Sequence, residues 1–531
     1  MNNQWTVYKS TKGGDVQLIS NKNVEGILPV GSYLTVLDKQ DTPTYILQII
    51  ASDQSEPYNP SPILIDTLAE KTQRMVPDQK CQNIVTAKRV KQLSKRSSNL
   101  IGYIPPQQYA RKSTQEEINK VFENKKGVPL FPAGVYGNVC ETLLDDKDLI
   151  YKIFLDDEFY FEQSLVFGKT GSGKTVALKY LIQYFIDVIG GAVLVANVKR
   201  EDLLTMTEVT TKNIENRDLE WKSLAEIKDK ERADFCSGPH GIVNSQLFYP
   251  KTAKEYRRSS AVLKQKPQPI SLSIENLEPE SISGVLLDMG EGAATIDICD
   301  FFRYWQDEEQ KPGESIKAFR DFLENEYQTN KKIPKKDVNG VIDSQGKIHP
   351  STFSKIIHRL GQVFGFFDVP KTVNLTVENI LQKKTLTVID LYGEELFGAI
   401  LLQDILQKIQ KSKPEFPEVP ILIVIDEVHK FYNSQSSVQA LESINRFVRE
   451  GRSSEIGVIL ASQNPRDIDT SIHNTVMTKI FFNSSRNEVA KYGLTNDYIS
   501  SESLKKGYAI ILSNYIDADL VKFPVAFCGV V

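Results

Sequence analysis

The residues with the clearest chemical potential form one short glycine-rich run. They are Gly168, Lys169, Thr170, Gly171, Ser172, Gly173, Lys174 and Thr175. The run fits the pattern G-x-x-x-x-G-K-[ST], in which glycines with positive φ angles let successive backbone N–H groups point at phosphate oxygens. Lys174 adds a positive charge for the β- and γ-phosphates, and the Thr175 hydroxyl is a ligand for Mg²⁺. This run predicts a site for a nucleoside triphosphate and Mg²⁺.

The segments on both sides of the run are those that a phosphate-binding loop requires. Residues 163–167 read as a strand, and Val176 to Ile186 read as a helix. The partial positive charge at the N-terminus of that helix adds to the attraction for phosphate. The alternative interpretation is a glycine-rich turn between a strand and a helix that binds nothing.

A second candidate group is a pair of carboxylates that follows an apolar run. Ile421 to Ile425 are apolar and rich in β-branched side chains, which predicts a strand buried on both faces of a parallel sheet. Asp426 and Glu427 come next, at the end of the strand where open α/β sheets bind ligands. Asp426 is placed to hold Mg²⁺, and Glu427 is placed to activate the attacking water as a general base. The alternative is a solvated acidic turn after a core strand.

Further polar residues lie close to the acidic pair in the sequence. Ile456 to Ala461 read as another strand, and it leads to Gln463, whose amide would contact the γ-phosphate and the attacking water. The alternative for Gln463 is a simple loop cap. Arg446, Arg449 and Arg452 share one helical face. Either Arg449 or Arg452 is a candidate to reach a neighbouring subunit's site and neutralise transition-state charge, and the alternative is a solvated basic face.

These pieces, in this order, resemble the HerA branch of the HerA/FtsK hexameric DNA translocases. The resemblance is carried by GKTGSGKT at 168–175, IDEVHKF at 425–431, REGRSSEIGVILASQNPRDID at 449–469 and a β-rich N-terminal stretch. It covers nearly the whole chain. It implies an α/β fold, with a RecA-like P-loop NTPase core, an N-terminal small β-barrel and a helical insertion.

The resemblance also implies an organisation in four parts. Residues 1–110 would form the N-terminal barrel, and 111–205 the first part of the ATPase core with the phosphate loop. Residues 206–370 would form a mainly helical insertion. Residues 371–531 would complete the core with the acidic pair, the sensor strand and a C-terminal tail.

Two local patterns agree with this organisation. Val30 to Leu37 and Thr44 to Ile50 read as strands joined by a polar turn. Ile316, Phe319 and Leu323 share one helical face within the predicted insertion.

The function implied by the resemblance is that of a motor. It is a homohexameric ring that binds ATP and Mg²⁺ between subunits, hydrolyses ATP and moves on double-stranded DNA. A partner would dock on the N-terminal barrel, either a NurA-like nuclease in DNA end processing or an effector in defence against phage. A second hypothesis is a nucleotide-gated ring scaffold that assembles and activates a partner effector with little translocation of its own.

The chain departs from the family pattern at three places. Glu162-Gln163 stand where Arg-His is common, and Asn464 follows Gln463 where an arginine is common. Residues 197–202, Asn-Val-Lys-Arg-Glu-Asp, stand where Asp-Pro-x-Gly-Glu is usual after the second strand. The phosphate-binding motif itself is intact.

Length and composition set the class of protein. A chain of 531 residues is too long for one hydrophobic core and indicates two or three domains. The formal net charge of −4 excludes a polybasic DNA coat, but a ring that grips a duplex requires only local basic patches. The five cysteines show no C-x-x-C spacing, which excludes a zinc ribbon and favours a reducing cytoplasm.

The sequence predicts a cytoplasmic protein without a signal peptide or membrane anchor. Its longest apolar stretch, Tyr180 to Val198, is interrupted by Gln183, Asp187 and the pair Gly190-Gly191. It therefore reads as a helix followed by a strand rather than as a membrane span.

One stretch of the N-terminal part is strongly basic. No acidic residue occurs between Asp78 and Glu116. The basic residues there are Lys80, Lys88, Arg89, Lys91, Lys95, Arg96, Arg111 and Lys112. The run predicts a phosphate-contacting surface or a dock for an acidic partner, and the alternative is a solvated linker.

Overall fold

The computed structural model shows an N-terminal barrel and a large sheet covered by helices. The described residues are 5–10, 14–20, 28–55, 82–93, 104–122, 126–137, 139–199, 203–252, 266–286, 292–330, 332–346, 348–431, 454–468, 470–492, 501–516 and 520–531. Within these ranges, none of the helices combines the length and the apolar character that a bilayer crossing requires.

Six antiparallel strands near the N-terminus close into a barrel. They are β1 (Trp5–Ser10), β2 (Val16–Ser20), β3 (Tyr33–Leu37), β4 (Pro43–Ser55), β5 (Gln82–Gln92) and β6 (Tyr109–Lys112). Hydrogen bonds link them in the order β1-β2-β5-β4-β3-β6 and back to β1. Alternate side chains such as Trp5, Val7 and Leu18 point inward and are fully buried. This alternation fills the interior of the small barrel, as strand geometry requires.

Both strands predicted between residues 30 and 50 are present. The first begins at Tyr33 rather than at Val30, because Val30 pairs with Val135 outside the barrel. Asp38 stabilises the turn between the two strands, since its carboxylate accepts a hydrogen bond of 2.9 Å from the backbone N–H of Thr42. The prediction of a β-rich N-terminal unit is confirmed.

The described members of the basic run lie on two separate strands. These strands are β5 and β6, which are not neighbours in the barrel. On β6, Arg111 Nη2 lies 2.8 Å from Glu117 Oε1, and Lys112 Nζ lies 3.7 Å from Asp148 Oδ1. An acidic neighbour thus accompanies each of these two residues. Three further members lie outside the described residues: Lys80, Lys95 and Arg96.

Most of the remaining strands form one 13-stranded sheet. Its members are β7 (Val128–Tyr136), β8 (Val139–Thr142), β9 (Ile153–Leu155), β10 (Ser164–Phe167), β11 (Ala192–Asn197), β12 (Ser245–Pro250), β13 (Gln268–Ile270), β16 (Leu386–Asp390), β17 (Ile421–Ile425), β18 (Ile456–Ser462), β19 (Thr478–Phe481), β20 (Tyr508–Leu512) and β21 (Leu520–Lys522). The two strands between β13 and β16 form a separate hairpin, β14 (Ile333–Lys336) and β15 (Ile342–Gly346).

The sheet is parallel at its centre and antiparallel on one side. Its order is β13-β12-β16-β11-β17-β18-β10-β19-β20-β21-β7-β8, with β9 paired to β7. In this order, the eight strands from β13 through β19 are parallel to their neighbours. The remaining pairs in the sheet are antiparallel. The apolar runs predicted as strands correspond to β10, β17 and β18, which are buried along their whole length. The predicted α/β fold is confirmed.

Helices cover both faces of the parallel strands. Among the described residues, the α-helices are α1 (Gln115–Val121), α2 (Lys174–Tyr184), α3 (Arg217–Ala225), α4 (Ala233–Cys236), α5 (Gly292–Tyr304), α6 (Ile316–Asn330), α7 (Pro350–Gln362), α8 (Val377–Ile380), α9 (Glu395–Ser412), α10 (Thr470–Thr475) and α11 (Arg486–Ala490). On β11, Val193 and Val195 pack in the same core as α2, whereas Leu194 and Ala196 pack in the core that contains α9. Burial of both faces explains why these strands are continuously apolar.

The stretch 206–370, predicted to be mainly helical, also contains strands. It holds α3 to α7, and the predicted apolar face of α6, formed by Ile316, Phe319 and Leu323, is buried. In the same stretch, β12 and β13 extend the parallel sheet at one edge. These short strands show too little apolar periodicity to be predicted, and each contains a proline.

A buried ion pair connects the last strand to α3. The Lys522 ammonium group contacts one carboxylate oxygen of Glu220, and the other oxygen accepts a hydrogen bond of 2.9 Å from the backbone N–H of Val525. The exposed fractions of the Lys522 and Glu220 side chains are 9% and 0%. Loss of the lysine would leave a buried carboxylate without its counter-charge.

We therefore expect Lys522→Met to lower the free energy of unfolding by about 3 to 5 kcal/mol, the usual cost of an uncompensated buried charge. Thermal and urea unfolding of the purified protein measure this loss. Lys411→Met is the matched control, because the Lys411 side chain is 66% exposed where it contacts Glu278, and exposed pairs contribute about 0 to 1 kcal/mol. Equal losses in the two variants would contradict the structural role of the buried pair.

Candidate functional site

The glycine-rich run forms the connection between β10 and α2. The strand ends at Phe167 and the helix begins at Lys174, so the run lies at the carboxyl edge of the parallel sheet. Gly171 and Gly173 have φ angles of 82° and 100°, in the left-handed region that favours glycine. Thr175 lies in the first turn of α2, next to the free N–H groups of the helix N-terminus.

Segments from the far end of the chain hold this loop in place. The backbone N–H of Lys169 donates to the carbonyl of Asn483 at 2.9 Å, and the N–H of Gly507 donates to the carbonyl of Ser172 at 2.8 Å. A Cβ atom on Gly173 would lie 2.6 Å from the nitrogen of Gly507. Two glycines from opposite halves of the core must therefore meet for the loop to keep its shape.

The acidic pair lies directly opposite the loop lysine. Lys174 Nζ is 3.3 Å from Glu427 Oε1 and 3.7 Å from Asp426 Oδ1. Both carboxylates are almost completely buried, with side-chain exposures of 1% for Asp426 and 3% for Glu427. The sheet order explains this meeting, since β17 is separated from β10 only by β18 and all three strands end at the same edge.

The backbone at the acidic pair has an unusual shape. Glu427 adopts φ 49° and ψ 49°, a left-handed conformation that is uncommon for a residue other than glycine. Its N–H donates to Asp426 Oδ1 at 2.9 Å. Such strained residues occur most often at functional sites, and here the turn directs both side chains toward Lys174.

A lysine that the sequence analysis did not assign completes the cluster. Lys199 Nζ lies 2.8 Å from Asp426 Oδ2 and 2.9 Å from Glu427 Oε1. It follows β11, the strand that pairs with β17 on the side away from β18. In the sequence, the role of Lys199 is indicated only by the departure from the family pattern at residues 197–202. Its proximity to the carboxylates depends on the strand order of the sheet, which the sequence does not show.

Gln463 and His429 surround the outer side of Glu427. Gln463 Nε2 donates to Glu427 Oε1 at 3.4 Å. His429 Nδ1 lies 3.6 Å from Glu427 Oε2 and 3.3 Å from Ser462 Oγ, which in turn donates to Asp467. Gln463, which directly follows β18, therefore contacts the acidic pair through its side chain.

The charges of the cluster change the proton affinities of its members. Burial lowers the pKa of Lys174, although the attraction of Asp426 opposes that shift. Burial would raise the pKa of Glu427, but the ammonium groups of Lys174 and Lys199 hold it below the usual value. For Lys199, burial works against the charged form, and the attraction of Asp426 outweighs it, so that its pKa is raised. These shifts favour an ionised Glu427 at neutral pH, as a general base must be.

The donor groups of the site suit a phosphate chain with Mg²⁺. Ser172 Oγ and Glu427 Oε2 are buried, and neither has a hydrogen-bond partner among the described residues. Mg²⁺ prefers oxygen ligands and keeps several waters beside one or two carboxylates and substrate phosphates. Asp426 and the Thr175 hydroxyl supply oxygens of this kind. The backbone N–H groups of the loop are suited to donate hydrogen bonds to phosphate oxygens.

The remaining predicted residues divide into two groups. Gly168, Lys169 and Thr170 belong to the loop, and the latter two are exposed at its outer side. Arg449 and Arg452, the candidates for contact with a neighbouring subunit, lie outside the described residues.

Comparison with known proteins finds related sequences for parts of the chain. A protein-family profile described as Zonular occludens toxin (Zot) matches residues 373–512. DNA double-strand break repair helicase HerA of Sulfurisphaera tokodaii is 32% identical over 104 residues, which cover 18% of this chain and 21% of the relative. The protein of the same name from Sulfolobus acidocaldarius is 29% identical over 160 residues, which cover 28% of this chain and 32% of the relative. The matches thus span a third or less of the length of these relatives.

A solved structure with a similar chain course is VirB4 of Thermoanaerobacter pseudethanolicus. It is 11% identical, the superposition covers 76% of this chain and 96% of that chain, and the TM-score is 0.41. The sequence relatives, which bear the HerA name, confirm the predicted resemblance to HerA/FtsK-type ATPases.

The contact between two glycines yields a test of the loop. We expect Gly173→Ala to weaken binding of a fluorescent ATP analogue by about tenfold or more, because the new Cβ atom would collide with Gly507. Gly171→Ala is the matched control, since Gly171 has a similar φ angle but no atom within 4 Å of the added Cβ. Equal affinities of the two variants would show that backbone strain alone, and not the contact with Gly507, limits the loop.

Proposed function

We propose that this HerA/FtsK-type protein binds and hydrolyses ATP with Mg²⁺ and uses the energy to move along double-stranded DNA. The observation that carries the proposal is the meeting of Lys174 with Asp426 and Glu427 at one edge of a parallel sheet. A lysine on a phosphate-binding loop opposite two buried carboxylates is the arrangement required for hydrolysis of a phosphoanhydride.

Each residue has a role that follows from its position. Lys174 binds phosphate oxygens. Thr175 and Asp426 would hold Mg²⁺, whose charge would offset the negative charge that develops on the phosphates. Glu427 takes the proton of the attacking water. Gln463, 3.4 Å from Glu427, orients that water and links the carboxylate to β18.

The DNA substrate is inferred from the relatives. Two of them are named as DNA double-strand break repair helicases, and the loop and acidic pair of this chain fit the same type of ATPase. In this proposal the chains form a homohexameric ring with ATP between subunits, and Arg449 or Arg452 reaches the neighbour's phosphates. Basic residues of the pore hold the DNA backbone without reading bases.

The N-terminal barrel is the proposed dock for a partner. The unit of residues 1–110 would bind either a NurA-like nuclease that processes DNA ends or an effector in defence against phage. The second candidate function, a nucleotide-gated scaffold, uses the same ATP site to assemble such an effector. The scaffold would use two arrangements of the acidic pair, one with nucleotide and one without, to switch between its two states.

The role of Glu427 is tested by Glu427→Gln. We expect ATP turnover to fall by about 100-fold or more, which is the usual contribution of a general base, while binding of ATP is retained because the amide keeps the size of the side chain. Glu395→Gln is the control, as Glu395 lies at the start of α9 beside Lys430. Turnover close to wild type in Glu427→Gln would remove Glu427 from the role of base.

The motor and the scaffold are distinguished by the response to DNA. We expect linear duplex DNA to stimulate ATP hydrolysis several-fold and Lys174→Ala to abolish both basal and stimulated hydrolysis. The measurement is the steady-state phosphate release of the assembled ring, whose subunit number is determined by mass photometry. A slow rate that DNA does not change would contradict the motor and support the scaffold.

A further inference from the structure

We propose that Lys199 is a positioning residue that acts as an internal counter-ion of the acidic pair: it occupies the place of a divalent cation when nucleotide is absent and gives way to Mg²⁺ when nucleotide binds. This inference rests on the proposed function, because it concerns the same ATP site. It adds a residue, and a competition with the metal, that the phosphate-loop and acidic motifs do not include.

The distances identify Lys199 as the principal partner of the pair. Its ammonium lies 2.8 Å and 2.9 Å from oxygens of Asp426 and Glu427, closer than the 3.7 Å and 3.3 Å of Lys174. One ammonium group thus bridges both carboxylates. A divalent cation held by Asp426 beside Glu427 would need the same space and would also supply positive charge there.

The charge balance of the site explains why a cation is required there. Two carboxylates with side-chain exposures of 1% and 3% face two lysines, so the cluster is neutral as a whole. Without Lys199 it would carry one uncompensated negative charge in a buried place. Such a charge is strongly destabilising, and a metal ion is the natural replacement.

The two lysines differ in their freedom to move. Lys174 is the first residue of α2, and its side chain is only 5% exposed. Lys199 lies just after the end of β11, and its side chain is 26% exposed. Lys199 can therefore leave toward solvent when Mg²⁺ arrives, while Lys174 stays fixed on its helix for the phosphates. The geometry assigns different tasks to the two lysines.

The turn that carries Lys199 is held by its own contacts. Asn197 Nδ2 donates to the carbonyl of Lys199 at 2.7 Å and to Asp390 Oδ1 at 3.1 Å. The N–H of Leu391 donates to the carbonyl of Asn197 at 2.7 Å. The backbone is thus fixed by β16, and only the side chain of Lys199 needs to move.

The test is thermal unfolding without nucleotide or DNA, with and without millimolar Mg²⁺. We expect Lys199→Met to unfold about 3 °C below wild type in EDTA. Mg²⁺ alone should restore most of this loss in the variant and leave wild type unchanged. Lys199→Gln, which keeps a polar side chain without charge, should behave in the same way if Lys199→Met does not fold.

Three further variants define the effect. Lys199→Arg keeps the charge and should show no Mg²⁺-dependent rise. Adding Asp426→Asn to Lys199→Met removes the excess negative charge and should abolish the response to Mg²⁺. Lys336→Met is the surface control, because Lys336 likewise bridges two adjacent acids, Asp307 at 3.0 Å and Glu308 at 3.1 Å, but those acids are exposed.

Two outcomes would overturn the inference. One is a Mg²⁺-induced shift of the same size in wild type and in Lys199→Met, since Lys199 would then not compete with the metal. The other is an uncharged Lys199 variant whose unfolding temperature in EDTA equals that of wild type and does not change when Mg²⁺ is added. The unfolding experiment does not measure hydrolysis, so neither result affects the proposed ATPase function. That function is tested separately by the ATP turnover of Glu427→Gln.

Discussion

The candidate site depends on one electrostatic constraint: the two buried carboxylates require the positive charges of the buried Lys174 and the half-buried Lys199. Asp426 and Glu427 are nearly inaccessible to solvent, where an unpaired charge costs several kcal/mol. Lys174 comes from the helix after β10, Lys199 from the end of β11 and the acids from the end of β17. The order of the sheet is therefore a condition for a neutral site.

The charge balance of these four residues also bears on how the site would bind a nucleotide. In the proposed function, magnesium and a triphosphate would bring opposite charges, and their arrival would redistribute the contacts of all four groups. Because Glu427 also contacts Gln463 on the sensor strand, a change at the phosphates reaches β18. That strand lies beside β10, whose loop is hydrogen-bonded to Asn483 and Gly507, so segments from both ends of the core meet at this site.

Several features were predictable because they are local. The phosphate loop requires glycines at particular positions, and the predicted strands are apolar throughout because both faces of the sheet are covered. The edge strands β12 and β13 were not predictable, since a few residues with a proline carry no clear period. The basic run could not be placed from the sequence, because the barrel order separates β5 from β6. The structure also pairs Arg111 of that run with Glu117 on α1.

The sequence by itself determined the type of chemistry and the strand that carries each group, because the phosphate loop and the acidic pair are short motifs with their own conformational needs. Only the tertiary structure decided which distant groups meet. Lys199 is adjacent to no motif residue in the sequence, yet it bridges both carboxylates. Gly507 supports the loop from the opposite end of the core. The Lys199 contact follows from the parallel strand order, whose crossovers place residues far apart in the chain at the same edge. Gly507 reaches that edge because β20, which begins at Tyr508, runs antiparallel to β19.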